Sequence, residues 1–329
     1  MVADEGSPSW GGSAWRYERT LMVRRFLANY GAIVMLLALF VVAAIVRPRF
    51  FHEDVLRNTA RMSAILGVVV VGQVLVLLVR CVDLSVAGVI GFTAVLVADV
   101  GPGLGLGVLY AVAIGVIVGL VNGWLVTRRQ VPPFVATFGM LILLEGARFA
   151  YSQGTTSGRV HQPLVDFVQQ PLGLLSLPVV IWIVLTSAAA MFVHRTVTGR
   201  RMVMAGSNEE MGRLSGLPVD RYKTGAFVVC SLLAVLAGLL LAGSAGYVDR
   251  FVGRNSELDS VTAALLGGAV FSGGEGSFLG GAIGSLLLAS LFTLIVLLGW
   301  PPDVQLAAKG GVLIAALATQ GFLRRTGSE

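Results

Sequence analysis

The chain of 329 residues is 56% hydrophobic and only 13% charged, with 42 glycines and a formal net charge of +6. A soluble domain carries about 25% charged residues, so this composition excludes a soluble globular protein and specifies an integral membrane protein. The positive surplus then belongs beside anionic membrane lipid, not on nucleic acid.

Residues 1–27 contain Arg16, Arg19, Arg24 and Arg25 but no apolar core followed by a small-residue cleavage pattern. They read as a cytoplasmic N-terminal tail and not a signal peptide. Apolar windows able to cross roughly 30 Å of hydrocarbon follow near 31–46, 62–79, 84–100, 104–126, 134–151, 174–193, 224–243, 260–271, 277–299 and 304–322. The expectation is an all-α polytopic membrane protein of about ten transmembrane helices, filling one domain over 28–323 before a cytoplasmic C-terminal tail, 324–329. Two windows are unusual: 84–100 is glycine-rich, and 260–271 is too short to cross alone as a helix. Such segments, placed alike in two halves, predict discontinuous helices around a pathway.

Basic residues orient the chain. Arg128 and Arg129, the group Arg195, Arg200, Arg201, Arg213, Arg221 and Lys223, and Arg324 and Arg325 all fall on the N-terminal side when ten spans are counted. Both termini are therefore expected in the cytoplasm. The loop 47–61 disagrees, because Arg47, Arg49, Arg57 and Arg61 are placed outside. Cys81 and Cys230 sit in or beside apolar spans and read as packed thiols.

Within "VLLVRCVDLSVAGVIGF", Val76 to Phe92, Arg80 and Asp83 interrupt an apolar run. A charge inside a bilayer costs a few kcal/mol unless paired, capped or wet. Asp83 precedes Leu84-Ser85-Val86 and is positioned to cap a helix that starts inside the protein, at that helix's positive end and three residues from Arg80. The alternative is that Asp83 or Ser85 also faces a translocation path. The other path candidates are Gln73, Asn122, Thr137, Glu257 and Asp259; Gln73 and Asn122 equally suit interhelical hydrogen bonds. Asp99, and Glu145 with Arg148 one turn on, lie near span ends, and the latter two are expected to pair.

An internal repeat links the halves. Gly101, Gly103, Gly107 and Ala111 align with Gly274, Gly276, Gly280 and Gly284, and Asp83-Leu84-Ser85-Val86 echoes Leu258-Asp259-Ser260-Val261. In the ten-span topology the copies run in opposite directions, as inverted repeats do. Gly115, Gly119 and Gly123 on one helix, and Gly276, Gly280 and Gly284 on another, recur every fourth residue, the spacing that lets helix backbones approach in lipid. Glycine hinges for alternating access are the second reading. No Gly-x-x-x-x-Gly-Lys-Ser/Thr occurs, so any ATP is bound by another subunit.

The loop 194–223 carries "TGRRMVMAGSNEEMGRLSGLPVDRYK". Asn208 suits an N-cap, Glu209 and Glu210 the first turn, and Gly216 the end of a short helix before Pro218. Glu209 and Arg213 are spaced i, i+4 for a surface pair. A short capped helix on such a loop has the shape to dock into a groove on a partner domain.

This loop resembles the cytoplasmic loop of bacterial ABC transporter permeases of the ribose/monosaccharide type. "VDLSVAGV" (82–89), "VNGWLV" with "VPPFVATFGML" (121–141) and "ELDSVTAALLGGAVFSGGEGSFLGGAIGSLL" (257–287) fit the same family in the same order, over about 75–320. Two departures stand out. Glu145-Gly146 replaces the family's arginine before glycine, and Arg80 and Cys81 replace two glycines ahead of Val82-Asp83-Leu84-Ser85.

The resemblance implies the non-catalytic, multi-pass subunit of a binding-protein-dependent importer in a bacterial inner membrane. It implies a second permease subunit, identical or not, ABC ATPase subunits that bind ATP and Mg, and a periplasmic or lipid-anchored binding protein that delivers a sugar. Asn208, Glu209, Glu210, Arg213, Leu214, Ser215 and Gly216 then form the ATPase-coupling helix. Within that family a furanose signal, a nucleoside or a branched-chain amino acid is an alternative solute. The rival from another class is an ion-coupled secondary transporter, for which only Asp99 and Glu145 offer coupling carboxylates. No His-Glu-x-x-His or Gly-x-Ser-x-Gly supports an intramembrane enzyme.

Overall fold

A computed structural model describes residues 31–98, 103–152, 158–172, 175–249 and 251–325. The N-terminal tail, Asp99, Gly101 and 326–329 lie outside the described residues.

Helices occupy every predicted window over at least part of its length. In chain order they are α1 Gly31–Val46, α2 Glu53–Leu78, α3 Val86–Leu96, α4 Leu104–Thr127, α5 Pro133–Tyr151, α6 Gln162–Gln169, α7 Leu177–Arg195, α8 Val197–Ser207, α9 Glu209–Leu214, α10 Val219–Ala245, α11 Ser256–Leu266, α12 Phe278–Leu297 and α13 Pro302–Arg325. Among the described residues, six (α2, α4, α5, α7, α10 and α12) are long and apolar enough to cross a membrane by length and composition, so the protein is a mostly helical, multi-pass membrane protein. The other predicted spans hold α1 and α3, which are shorter apolar helices, the 11-residue α11, and α13.

The core is built around α2 and α10. From Ser63 onward α2 is almost wholly buried, because neighbours cover it on all sides. A Cβ built at Gly72 of α2 would lie 2.9 Å from the Cα of Cys230 on α10, so no side chain separates the two backbones there. The long–short–long order of α2, α3 and α4 recurs in α10, α11 and α12. Each short helix packs on the long helix of the other half: α3 lies on α10, where a Cβ at Gly238 would meet the Ile90 carbonyl oxygen at 2.9 Å, and α11 lies on α2.

The glycine stripes occupy helix contacts. On α4, a Cβ at Gly115 would meet Val235 at 2.7 Å, one at Gly119 the Val228 Cα at 2.5 Å, and one at Gly123 the Thr224 side chain at 2.7 Å, all on α10. On α12, Gly280 and Gly284 lie against backbone oxygens of Gly267 and Ala263, at 2.0 and 2.1 Å from a built Cβ. The expectation that Gly276 shares that helix is corrected. It precedes Ser277, whose hydroxyl caps α12 by accepting from Gly280 N at 3.0 Å, and it contacts Val74 and Leu78 of α2.

The interruption after Val79 has a backbone cause. Cys81 N donates to the Val76 carbonyl at 3.0 Å and Arg80 N to that of Leu77 at 2.9 Å, the paired pattern of a Schellman stop. It places Arg80 in the left-handed region, at φ 60°, the position that favours glycine. Arg80 is exposed and Asp83 fully buried. The sequence departure at Arg80 is therefore a strained helix stop. Arg80→Gly is expected to stabilise the protein by about 0.5–1 kcal/mol, read as a raised thermal transition in detergent.

The end of the molecule opposite α9 carries small elements. β1 Gly158–Arg159 pairs antiparallel with β4 Tyr247–Val248, and β2 Pro171–Leu172 with β3 Leu175–Ser176. There α6 packs on the end of α10, with Val168 against Gly243.

Candidate functional site

The first candidate region is α8 and α9. Thr196 caps α8 by accepting from Gly199 N at 3.0 Å. Asn208 Oδ1 accepts from Met211 N at 3.1 Å and starts α9. Gly216, at φ 74°, stops it, with Leu217 N donating to the Gly212 carbonyl at 3.0 Å. Six residues cannot hold a helix in water by propensity, so what fixes α9 is its contacts.

Those contacts are a chain of ions. Arg213 Nη2 donates to Glu209 Oε1 at 3.0 Å and to Asp220 Oδ1 at 2.5 Å, and Lys223 Nζ donates to Glu209 Oε2 at 2.6 Å. Glu209 thus ties α9 to the first turns of α10. Burial alone raises its pKa, but the hydrogen bonds from Lys223 and Arg213 outweigh burial and hold the carboxyl below the usual range. Hydrogen bonds that Arg213 donates to Asp220 and Glu209 raise its own pKa. Both groups are therefore charged at neutral pH. Spacing predicted the Glu209–Arg213 pair; Asp220 and Lys223 lie too far along the chain for any local pattern to assign them.

The junction of α8 and α9 rests on the membrane-crossing body. A Cβ at Gly206 would lie 1.7 Å from the Leu78 carbonyl oxygen, so only glycine lets α8 meet the end of α2. That same oxygen accepts from Gly274 N at 3.0 Å. Gly274 lies against Ser207, and Gly273 against Arg80 and the Gly206 carbonyl. The segment ahead of α12, the end of α2 and the end of α8 therefore meet at one point, two residues before α9 begins. Outward, Leu214 is 76% and Met211 56% exposed, an apolar pair beside Glu210 and Ser215, which are also exposed.

The second region gathers four of the seven path candidates around the start of α3. Ser85 donates its hydroxyl to Asp83 Oδ1 at 2.5 Å and its N–H to the same oxygen at 2.9 Å. Asn122 Nδ2 of α4 donates to the Ser85 hydroxyl at 3.0 Å. Thr137 of α5 donates to the Val82 carbonyl at 3.3 Å. Gln73 sits nearby across α2 and α10, its Oε1 4.0 Å from the Cys230 thiol. Asp83, Ser85, Asn122, Thr137 and Gln73 are all 0% exposed, so they line no open path in this conformation. The expected cap is also corrected: Asp83 holds the N–H of Ser85, the residue before α3, and Ser85 makes no side-chain cap to the helix.

Glu257 and Asp259 lie apart from that cluster, on α11. Asp259 Oδ2 accepts from Lys309 Nζ of α13 at 2.6 Å, and that ammonium lies 4.4 Å from the Phe292 ring centroid. Asp259 is thus one half of an interhelical ion pair. Lys309 was open to discovery in the sequence as the one cation within the apolar window 304–322. Arg148 reaches across to the Val252 carbonyl at 3.0 Å and packs against Gly91.

The chain is similar to known proteins along most of its length. The family described as the branched-chain amino acid transport system / permease component matches residues 55–317. The chain is 30% identical over 310 residues to the ribose import permease protein of Escherichia coli, covering 91% of this chain and 95% of that protein. It is 29% identical to the ribose import permease protein of Haemophilus influenzae over 92% and 95% of the two chains. It is 32% identical over 313 residues to the autoinducer 2 import system permease protein of an Enterobacter species, over 93% and 90%. No solved structure gives a significant match.

Proposed function

Because the chain belongs to the family of branched-chain amino acid transport system permease components, we propose that it is the membrane-spanning permease subunit of an ATP-driven ABC importer for a small sugar. The observation that carries this reading is α9, a capped surface helix locked by ions to α10 and continuous with the end of α8, which rests on the joint between α2 and the segment ahead of α12. ATP and Mg belong to partner ATPase subunits that dock on Leu214, Met211 and their polar neighbours. A second permease subunit completes the pathway, and a binding protein delivers the solute at the opposite end. The protein sits in a bacterial inner membrane with both termini cytoplasmic.

The geometry suggests how force passes inward. Pushing α9 moves α10 through the Lys223–Glu209 pair, and moves the end of α2 through Gly206 and Ser207. Since α3 packs on α10 and α11 on α2, both short helices shift with them. We read the two long–short–long units as inverted repeats that rock against each other for alternating access. In the present conformation Asp83, Ser85 and Asn122 pin the start of α3 to α4. The sugar assignment rests on the ribose import relatives. The equally similar autoinducer 2 permease supports a second reading, a furanose signal as solute.

The test is uptake by proteoliposomes that contain this chain with a partner ATPase and a binding protein from the same organism. Ribose uptake that needs ATP and the binding protein is the expected result. Gradient-driven uptake by the chain alone would replace the importer with a secondary transporter. Selective uptake of autoinducer 2 over ribose would favour the second reading.

A further inference from the structure

The loop whose arginines break the orientation rule borders a cavity of about 500 Å³ at the end opposite α9, between the first turns of α2, the end of α6, β3 and the start of α7. Its charges are unequal in their commitments. Arg57 is paired with Glu53, whereas neither Arg61 nor Asp54, both in the lining, makes an ion pair among the described residues. Arg61 Nη2 donates to Asn58 Oδ1 at 2.8 Å, but its Nε is shielded from solvent with no acceptor, and the Ser176 hydroxyl is equally shielded and unpartnered. The lining therefore holds one cation with an unfilled donor, one hydroxyl without a partner and one carboxylate outside any ion pair.

The rest of its wall mixes Leu56 and Leu175, 39% and 46% exposed, Ala60 and the buried Val179 with the side-chain amides of Asn58, Gln169 and Gln170. Asp54, Arg57 and Arg61 lie within the first three turns of a membrane-crossing helix, which is headgroup depth. Shielded donors at the boundary of hydrocarbon call for an acceptor that comes with an apolar body.

We propose that this cavity binds one zwitterionic glycerophospholipid of the phosphatidylethanolamine type. Its phosphate accepts from Arg61 and Ser176, its ammonium donates to Asp54, and an acyl chain lies along Leu56 and Leu175. An anionic lipid with no ammonium would satisfy Arg61 but set its charge beside Asp54, so the cavity selects the zwitterion. The site is independent of which solute is carried.

Native mass spectrometry of the purified full chain, delipidated and offered phosphatidylethanolamine, phosphatidylglycerol or phosphatidylcholine in turn, tests this. The wild type is expected to retain phosphatidylethanolamine about tenfold better than the other two, the scale of one charge-assisted hydrogen bond. Arg61→Gln is expected to lose that retention. Asp54→Asn is expected to shift it to phosphatidylglycerol. Arg57→Gln, whose guanidinium is committed to Glu53, keeps the wild-type pattern. If Arg61→Gln fails to fold, judged by its thermal transition, the Asp54→Asn shift decides. Equal retention of all three lipids, or Asp54→Asn with an unchanged preference, overturns the proposal. So does full displacement of the lipid by soluble phosphoethanolamine, which would identify a site for a free zwitterion.

Discussion

Glu209→Lys in the reconstituted importer is expected to cut solute uptake several-fold or more while the subunits still reach the membrane. The wild-type carboxylate joins Lys223 at 2.6 Å and Arg213 at 3.0 Å; the substitution puts a third cation between them. These pairs lie on the loop outside the buried helix contacts on which the folded body depends, so the body survives. What is lost is the fixed position of α9 against α10. Coupling between distant sites typically amounts to about 1–3 kcal/mol, a factor of roughly 5–150. Uptake is therefore expected to fall by about that factor or more, and stimulation of ATP hydrolysis by the binding protein to disappear. A second substitution, Lys223→Glu, restores an opposite pair and is expected to return part of the uptake. Normal stimulated hydrolysis in Glu209→Lys would show that α9 transmits nothing.

The second large effect is expected at Gly119. A Cβ there would lie 2.5 Å from Val228 Cα, 2.8 Å from its nitrogen and 2.9 Å from the Phe227 carbonyl oxygen. All three are backbone atoms, so no rotamer change relieves the clash, and α4 must separate from α10 along its length. Overpacking of this kind costs about 1–3 kcal/mol where side chains can yield, and here they cannot. Gly119→Leu is expected to give little or no folded protein, measured as monodisperse yield and thermal transition in detergent. Gly105→Leu on the same helix is the control, because a Cβ at Gly105 meets nothing within 4 Å. Equal yields from the two variants would mean that α4 and α10 are not in close contact.

Local signals proved readable where the physics is local. Apolar run length located the helices, and Asn208 and Gly216 marked the ends of α9 because a cap and a left-handed stop each depend on a few consecutive residues. The i, i+4 spacing of Glu209 and Arg213 gave their pair for the same reason. The partners supplied by the fold were hidden. Lys223 reaches Glu209 across 14 positions, and Lys309 reaches Asp259 across 50. The path candidates show the limit most plainly. Polar residues in apolar runs mark either a wet path or a buried hydrogen-bond cluster, and only packing separates the two. Asp83, Ser85 and Asn122 form such a cluster in this conformation. Gly276 was misplaced because its fourfold spacing with Gly280 and Gly284 runs on past the helix start at Phe278.

The shortness of α3 bears on how the protein is made. At 11 residues it measures about 16 Å, half the hydrocarbon thickness, yet it is buried on every side. Its backbone ends cannot rest in lipid unsatisfied, and α10, the helix it lies on, begins at Val219, more than a hundred residues later in synthesis. A nascent chain that has emerged only as far as α7 therefore holds α3 without its seat. Biogenesis must keep that segment in a wet or protein-lined setting until the second half arrives, and ribosome-arrested chains ending before Val219 should remain held by the insertion machinery, while chains extending past Ala245 are released.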